Sequence, residues 1–388
     1  MKIIFFTHPD FLGHQSMPRF TKMLSDGMLK RGHDINIWKP EPKFFNISDK
    51  SNLKKWLGYI DQYIVFPIQV RRRIKYLSND ILYVFIDQAL GPWVSLVNGK
   101  THVVHCHDFL AQFSALGKIK KNPTSLSGKI YQNFIRRGYS KAKNFISVSQ
   151  KTKEDLLSLL NSKPEVCEVV YNGLNQKFIR SISIDNSRTL LSKELELPFI
   201  NGFLLHVGGN QWYKNRPGVI EIYNAWRNIA NKKLPLLLIG ENPSKELLLK
   251  KETSNYKEDI YFLDNLTDEK VRAAYYCASV LIFPSLAEGF GWPIAEAMAS
   301  GCPVLTTNEK PMTEVAGDAG LLLPLMPDTN DERAVWVKNA ANKVDYIINL
   351  SSTEREVIIK KGMENAGRFD TDAALDAIEK IYFKLVEI

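Results

Sequence analysis

The sequence predicts an α/β protein with two doubly wound parallel sheets, each in its own domain. Apolar strand-like runs alternate with amphipathic helix-like runs, which is typical of parallel sheets covered by helices on both faces. The alternation starts again near the middle of the chain, and 388 residues are too many for one ordinary core. A polar, weakly periodic linker from about Leu174 to Pro198 separates the halves. We therefore expect domains at 1–180 and 181–370.

The first half contains one well-marked helix and six strand candidates. The helix runs from Pro18 to Arg31 and is closed by Gly32, and its apolar side chains fall on one face. The predicted strands are Lys2–Phe6, Asp34–Trp38, Ile81–Asp87, His102–Asp108, Asn144–Ser149 and Glu168–Tyr171.

The second half repeats this pattern. A helix is expected from about Pro217, and the chain after Asp331 is mostly helical. The predicted strands are Phe203–Val207, Leu236–Ile239, Ile260–Leu263, Ser279–Pro284, Pro303–Thr306 and Leu321–Leu323.

The composition argues against a membrane-spanning protein and against a secreted, disulfide-bonded one. No apolar run reaches eighteen residues, and the run in MKIIFF is too short for a signal peptide, so we expect a first strand there. The four cysteines lie far apart without a CxxC pair, which favours free thiols in a reducing, cytoplasmic compartment. Residues 1–180 carry a net charge of +15 and the rest −6. An anionic partner suits the first half, but no nucleic-acid motif accompanies the charge.

Two glutamates bracket an irregular turn in SLAEGFGWPIAEAMASG, residues 285–301. Gly289 and Gly291 permit backbone approaches that a Cβ would block, and Pro293 suits the first turn of a helix. Glu288 therefore follows a buried strand, and Glu296 lies in the first turns of the next helix. Ligands of open α/β sheets bind at such junctions, so the two acids are expected to hold two groups of one ligand.

Each half also has a glycine-bearing loop after its first strand. These loops are HPDFLGHQSMPR, residues 8–19, and GGNQWYKNR, residues 208–216, and neither is a GxGxxG or P-loop motif. Lys214 and Arg216 stand near a helix start, where free amides favour anions. A diphosphate would fit there, while the alternative is that both side chains are solvated loop charges.

The strand end HVVHCHD contains His105, His107 and Asp108. Alternation places both histidines on one face, so a purely structural role for one of them is an open alternative. A metal site is disfavoured because no further ligand lies nearby in the sequence. Asp370 and Asp372 form an Asp-x-Asp pair, but here they open the last helix, where Asp is a good cap.

Taken together, these motifs resemble the retaining GT-B-fold glycosyltransferases of family GT4. The resemblance covers essentially the whole chain and is strongest in SVLIFPSLAEGFGWPIAEAMASGCPVLTTNEKPMTEVAGDAGLLLP, with further matches in ISVSQKTKEDLL, VVYNGLNQKF and LLHVGGNQWYKN. It implies two Rossmann-like domains facing each other across a cleft. It also implies that the last helix, about 371–388, packs back on the N-terminal acceptor-side domain, and that residues 181–370 bind the nucleotide sugar.

The resemblance assigns roles to individual residues. Glu288 would bind hydroxyls of the transferred sugar, Lys214 would neutralise the leaving diphosphate, and His107 would face the donor sugar; these three are the expected catalytic residues. Glu296 would hold the ribose hydroxyls. The full expected donor-binding set is Gly13, Gly208, Gly209, Lys214, Arg216, Leu263, Leu266, Glu288, Gly289, Phe290, Gly291 and Glu296.

One departure from the family concerns a second phosphate cation. Many members carry an arginine where this chain has Gly209 or Tyr213. Arg216 is the first candidate to replace it, and Arg19 is the second.

The resemblance implies transfer of a sugar from a nucleotide sugar, UDP- or GDP-linked, to an acceptor hydroxyl with retention of configuration and without a metal or cofactor. The acceptor would be a glycan, a lipid-linked molecule or a small molecule in bacterial polysaccharide or glycolipid assembly. Two alternatives remain: a GT-B-fold sugar-nucleotide epimerase or phosphorylase, and a catalytically silent scaffold of a glycan-assembly complex.

Residues 54–77, KKWLGYIDQYIVFPIQVRRRIKYL, mix aromatic and basic side chains. Such a mixture suits peripheral contact with the anionic inner face of the cell membrane. The alternative is a helical insert packed on the first domain with a solvated basic end, in which Pro67 interrupts the segment.

Overall fold

The computed structural model of the chain describes residues 1–13, 16–78, 80–174 and 183–387. Contacts divide these residues into two compact units, 1–174 with 371–387, and 183–370. The domain boundary expected between 180 and 181 lies outside the described residues. Each unit contains a six-stranded parallel sheet flanked by helices.

The sheet of the first unit has the order β2-β1-β3-β4-β5-β6. Its strands are β1 (Lys2–Phe6), β2 (Asp34–Trp38), β3 (Ile81–Phe85), β4 (His102–Cys106), β5 (Asn144–Ser147) and β6 (Val166–Val169). Its helices are α1 (Ser16–Lys30), α2 (Ser51–Ile60), α3 (Phe66–Ile74), α4 (Leu110–Ala115), α5 (Leu126–Tyr139) and α6 (Gln150–Leu159). β1 is an inner strand, because Lys2 pairs with Asp34 on one side and Ile81 on the other.

The sheet of the second unit has the order β12-β11-β10-β7-β8-β9. Its strands are β7 (Leu204–Val207), β8 (Leu236–Ile239), β9 (Ile260–Leu263), β10 (Val280–Phe283), β11 (Val304–Thr307) and β12 (Leu321–Leu323). Its helices are α7 (Ile184–Leu195), α8 (Arg216–Ile229), α9 (Lys245–Glu252), α10 (Asp268–Cys277), α11 (Trp292–Ala299), α12 (Met312–Ala316), α13 (Asn330–Asn349) and α14 (Ser352–Ala366). The last helix, α15 (Thr371–Glu387), belongs to the first unit.

The strands differ from the predicted ones mainly at their ends. β3 and β5 stop two residues earlier than predicted, because Asp87 and Ser149 cap the helical segments that follow instead of continuing the strand. The Asp87 carboxylate accepts from the Ala89 amide, and the Ser149 hydroxyl accepts from the Thr152 amide. β6 begins two residues earlier than predicted.

Helix α15 completes the core of the first unit. Four of its side chains are buried in that core: Leu375, Ile378, Tyr382 and Leu385. The Tyr382 hydroxyl lies 2.7 Å from Nε2 of His105 on β4. At the edge of this core, Nη2 of Arg31 donates to Asp376 and Nε2 of the buried His33 donates to Glu379 of α15, each at 2.6 Å. Burial and ion pairs therefore hold the last helix on this unit.

The chain leaves the first unit and re-enters it at one place. A methyl group added at Gly173 would lie 2.5 Å from Cα of Thr371, and the Thr371 hydroxyl donates to the Leu174 carbonyl. Only glycine fits at position 173, because the two chain segments touch there.

The helix of the 54–77 segment is not interrupted at Pro67. α2 continues through a π-helical turn, Asp61–Val65, directly into α3. A proline lacks its own N–H and crowds the carbonyl of the preceding turn. The wider π turn just before Pro67 changes that hydrogen-bond pattern, so the helix persists. The expected interruption was therefore wrong.

Candidate functional site

The site lies at the carboxyl edge of the second sheet, where the loops after β7 and β10 meet. Nζ of Lys214 donates to both carboxylate oxygens of Glu288, at 2.8 and 3.0 Å. The two side chains are only 15% and 7% exposed, so this ion pair is largely removed from water. The structure thus brings together two residues that the sequence placed 74 positions apart.

Backbone geometry explains how Lys214 reaches this position. A 3-10 turn, Trp212–Lys214, is followed by Asn215 in the left-handed region at φ 52°, and α8 begins at the next residue. The side-chain Nδ2 of Asn215 donates to the carbonyl of Pro284, and the backbone amide of Leu286 donates to the carbonyl of Tyr213. These bonds fasten the loop after β7 to the loop after β10 and fix Lys214 against Glu288.

The turn between the two glutamates has the predicted glycine dependence. Gly291 lies at φ 106°, a conformation that residues with a side chain rarely adopt, and α11 follows with Pro293 in its first turn. The Phe290 ring is buried against Trp292 and Phe369. Its side chain is therefore part of the core, and contact of the Gly289, Phe290 and Gly291 backbone with a ligand stays a prediction.

Glu296 lies on α11, eight residues after Glu288, and is held by a tyrosine. The hydroxyl of Tyr275, on α10, donates to Oε2 of Glu296 at 2.9 Å. Tyr275 is 1% exposed, so its hydroxyl is fixed by packing. Sequence reasoning missed Tyr275, because nothing in its local pattern distinguishes it from an ordinary core tyrosine.

Arg216 is buried beside this site. Its Nη1 donates to Oδ1 of Asn210 and to the Glu241 carbonyl, at 2.5 and 2.9 Å. Burial lowers the pKa of Arg216 to about 10, so the guanidinium remains charged at neutral pH. Its Nε and Nη2 are buried without a hydrogen-bond partner among the described residues. Arg216 braces the loop after β7, and its role as a phosphate cation stays a prediction, as does that of Arg19 on α1.

The glycines of this loop sit in tight surroundings. A Cβ at Gly208 would lie 3.1 Å from Nε2 of His206, and one at Gly240 would lie 2.1 Å from the Gly208 carbonyl oxygen. Gly209 faces the side chains of Gln211 and Glu241. Small residues are therefore required here to let the loops after β7 and β8 approach each other.

The segment expected to contact the base begins at the end of β9. Leu263 is the last residue of β9, and its carbonyl accepts from the Gly240 amide. Leu263 and Leu266 are half-buried, and Asn265 between them has a φ of 51°. The segment lies at the same sheet edge as the loops above, and its contact with a base stays a prediction.

The predicted residues of the first unit lie at the carboxyl edge of its own sheet. Nε2 of His107 donates to the Ile86 carbonyl at 2.8 Å, and Nε2 of His8 donates to Asp87 at the same distance. Burial lowers the pKa of His107. Burial opposes ionisation of Asp87, but the hydrogen bond from His8 and the nearby histidines bring its pKa to about 2.

His105 has a structural role instead. Burial lowers its pKa to about 3, and its ring contacts Phe20 and Tyr382 inside the core. Gly13 has a φ of 67° at the end of a short 3-10 turn, and the two residues that follow it lie outside the described residues. The role of Gly13 therefore stays a prediction.

The described ranges contain neither a cluster of metal-binding side chains nor a helix suited to span a membrane. There, no three His, Cys, Asp or Glu side chains cluster as a metal site would require. Asp372 of the Asp-x-Asp pair lies 3.6 Å from Arg31. Of the helices that the structure describes, none is long and apolar enough to cross a membrane.

Comparisons with solved structures and with family profiles identify the fold and the family of the chain. An Anabaena protein, HepE, solved in complex with UDP and glucose, superposes with a TM-score of 0.70 at 18% identity over 98% of this chain and 99% of that one. At this identity the likeness shows the fold, which is GT-B. Residues 17–178 match the profile of Glycosyltransferase Family 4, and residues 202–335 match that of Glycosyl transferases group 1. The chain belongs to glycosyltransferase family 4.

Two curated relatives share 21–25% of their sequence with this chain over the matched regions. O-antigen chain mannosyltransferase B of Escherichia coli is 25% identical over 61% of this chain and 59% of its own length. A glycosyltransferase of Methanocaldococcus jannaschii is 21% identical over 89% of this chain and 90% of its own length. The match spans about three fifths of the length of the first curated relatives.

Proposed function

We propose that the protein transfers a sugar from a nucleotide sugar to an acceptor hydroxyl with retention of anomeric configuration. The observation that supports this most is the buried ion pair of Lys214 with Glu288, beside Glu296 at the same sheet edge. It provides a cation for a diphosphate and two carboxylates for two sets of hydroxyls. An epimerase, a phosphorylase or a silent scaffold has no specific observation in its favour.

The charges of the site suit the chemistry. When the bond from the anomeric carbon to the phosphate oxygen breaks, its electron pair stays on the nucleotide diphosphate, where Lys214 stabilises the negative charge. The acceptor oxygen forms the new bond from the same face, and its proton passes to a phosphate oxygen. Glu288 would bind the sugar hydroxyls and Glu296 the ribose, while His107 would face the sugar. No step in this scheme needs a metal ion.

The donor and the acceptor are proposed by class. UDP and GDP are the first nucleotides to test, since the Anabaena relative was solved with UDP. A glycan or lipid-linked acceptor is supported by relatives named as O-antigen mannosyltransferases. We place the reaction on the cytoplasmic side of the membrane, with the +15 charge of residues 1–180 suited to an anionic surface.

A donor panel tests the proposal. UDP-, GDP-, ADP- and dTDP-sugars are screened by thermal shift, and the stabilising donor is then incubated with candidate acceptors in EDTA. We expect transfer in EDTA, with the anomeric configuration of the product, read by NMR, equal to that of the donor. Absence of any thermal shift would contradict donor binding, and donor binding without transfer or hydrolysis would contradict catalysis. Strict metal dependence would contradict the metal-free scheme, and inversion would contradict retention of configuration.

A further inference from the structure

Two neighbouring helical elements of the first unit share an exposed apolar surface. An unbroken series of ring contacts, here called the aromatic ridge, joins the helix of residues 51–74 to α5. In order of contact the ridge consists of Trp56, Tyr59, Tyr131, Tyr63 and Phe134, with ring centroids 5.5–6.2 Å apart between successive members. The Tyr63 and Tyr131 hydroxyls are also hydrogen-bonded, at 2.7 Å. The two tyrosines of the 54–77 segment thus pack on α5.

The outer members of this surface are strongly exposed. Trp56 is 66% exposed at one end of the ridge and Phe134 is 45% exposed at the other. Leu126 and Ile130 precede Phe134 at four-residue intervals on α5 and are 76% and 65% exposed. Spacing of four places them along one face of the helix. Contiguous exposed apolar groups of this size mark an interaction surface.

The charges around the ridge are almost all positive. Residues 51–77 and 126–139 contain nine Lys or Arg and a single acid, Asp61. Asp61 is 1% exposed, and its carboxylate accepts from the amides of Phe44 and Phe45, so it does not offset the surface charge. Arg71, Arg72 and Lys129 are exposed. The exposed Asp49 pairs with Lys54, so the surface is predominantly basic. Exposed aromatic and aliphatic groups within such a surface complement anionic lipid headgroups.

We propose that residues 51–77 and 126–139 form one membrane-contact surface, in which Trp56, Ile130 and Phe134 enter the headgroup layer of an anionic bilayer. The surface differs from the one expected from residues 54–77 alone, because Tyr59 and Tyr63 support it from within and α5 adds the exposed Leu126, Ile130 and Phe134. It deepens the proposed function, on which it rests for a membrane-bound acceptor, but vesicle binding can be tested without transfer activity.

Co-sedimentation with phosphatidylcholine vesicles, with and without phosphatidylglycerol, tests the surface. We expect binding only to the anionic vesicles and less of it at high salt. Each basic residue near such a surface contributes roughly fivefold to binding, so Arg71, Arg72 and Arg73→Ser should weaken it on the order of 100-fold. The matched control is the triple substitution of Lys30, Lys141 and Lys163 by serine. These lysines are exposed outside the two segments, so the control should weaken vesicle binding far less.

The apolar contribution needs its own variant. Trp56→Ser with Ile130→Ser should lower anionic vesicle binding at least tenfold, whereas Leu29→Ser with Leu157→Ser, which removes exposed apolar groups on other helices, should not. Bromine-labelled lipid should quench the wild-type fluorescence more than that of Trp56→Phe. Thermal shift with the donor checks that every variant folds.

Three results would overturn the inference. The first is equal sedimentation of the wild-type protein with neutral and anionic vesicles, and the second is wild-type vesicle binding by the Trp56 and Ile130 variant. The third is a wild-type dimer that the same variant dissociates. Failure of the wild-type protein to bind anionic vesicles, with intact transfer to a water-soluble acceptor, would overturn this inference alone. Vesicle binding without any transfer would instead contradict the proposed function.

Discussion

The pairing of Lys214 with Glu288 changes what a substitution at Glu288 should do. In the structure the Glu288 carboxylate binds the Lys214 ammonium group. The carboxylate therefore competes with the diphosphate of a bound donor for that group. An alanine at position 288 would leave a largely buried cation without its partner, which is strongly destabilising. Glutamine keeps the size of the side chain and is the better probe.

Glu288→Gln should weaken binding of the intact nucleotide sugar and lower transfer, because the charged acceptor for the sugar hydroxyls is lost. Binding of the free nucleoside diphosphate should stay the same or tighten, since Lys214 is no longer held by a carboxylate. Titration calorimetry with both ligands measures this. Equal weakening of both would show that Glu288 does not act on the sugar.

Tyr275→Phe tests whether the tyrosine orients Glu296. Loss of a hydrogen bond to a carboxylate costs about 1.5–3 kcal/mol when the site is desolvated, so the affinity for the nucleoside diphosphate should fall roughly tenfold or more. The affinity for the 2′,3′-dideoxy analogue should not change, because it offers no hydroxyls to Glu296. The control is Tyr223→Phe, another buried tyrosine of the second unit. An equal loss for both ligands would indicate a structural role only.

At the scale of elements, α5 is held against the 3-10 segment Gln88–Val97 by two glycines. A methyl group at Gly138 would lie 2.3 Å from the Gly91 carbonyl carbon, and one at Gly91 would lie 2.5 Å from the Ile135 carbonyl oxygen. Gly138→Ala should therefore lower the free energy of unfolding of the first unit by about 1–3 kcal/mol or more. Gly367→Ala, which has open space, should change stability little. Urea denaturation compares them, and equal stability would contradict the close contact.

Each sheet carries a buried histidine on an inner strand, His105 on β4 and His206 on β7. Burial lowers the pKa of each to about 3, below the unfolded value near 6.5. The unfolded chain therefore binds protons that the folded chain does not, and stability falls as pH drops from about 6.5 towards 3. At pH 5 the loss is about 2 kcal/mol for each histidine. His105→Gln and His206→Gln should flatten the pH dependence of the urea midpoint, and an unchanged slope would contradict this assignment.

The sequence predicted some elements well and others poorly, for physical reasons. β1, β2, β8, β9 and β12 have the predicted bounds, because short apolar or alternating runs between polar segments leave little choice. The helix across Pro67 was missed because a π turn depends on local backbone relaxation that the residue pattern does not encode. Glu288 and Glu296 were predicted as site residues from one sequence motif and Lys214 from another. Tyr275 lies on a neighbouring helix, and only the packed structure shows its contact with Glu296.

At the scale of the whole molecule, the first unit depends on a helix from the far end of the chain. Tyr382 is fully buried in its core, while the next residue, Phe383, is 45% exposed. Tyr382→Ala should destabilise the first unit by about 3–5 kcal/mol, and Phe383→Ala should have a small effect. Unfolding followed separately in each unit by hydrogen exchange should show the loss in residues 1–174 and 371–387 only. A matching loss in the second unit would mean that the two do not unfold independently.

The contact between Gly173 and Thr371 marks the point where the second unit is inserted into the sequence of the first. The first unit is continuous in space although its sequence is interrupted, and the interrupting segment starts and finishes at neighbouring points on it. Proteins tolerate insertion of a domain where the two ends of the insert lie close together. The second unit is therefore exchangeable in principle as one cassette, cut after Leu174 and before Thr371. Exchange of that cassette would replace the residues proposed above to bind the donor and would leave the first unit unchanged.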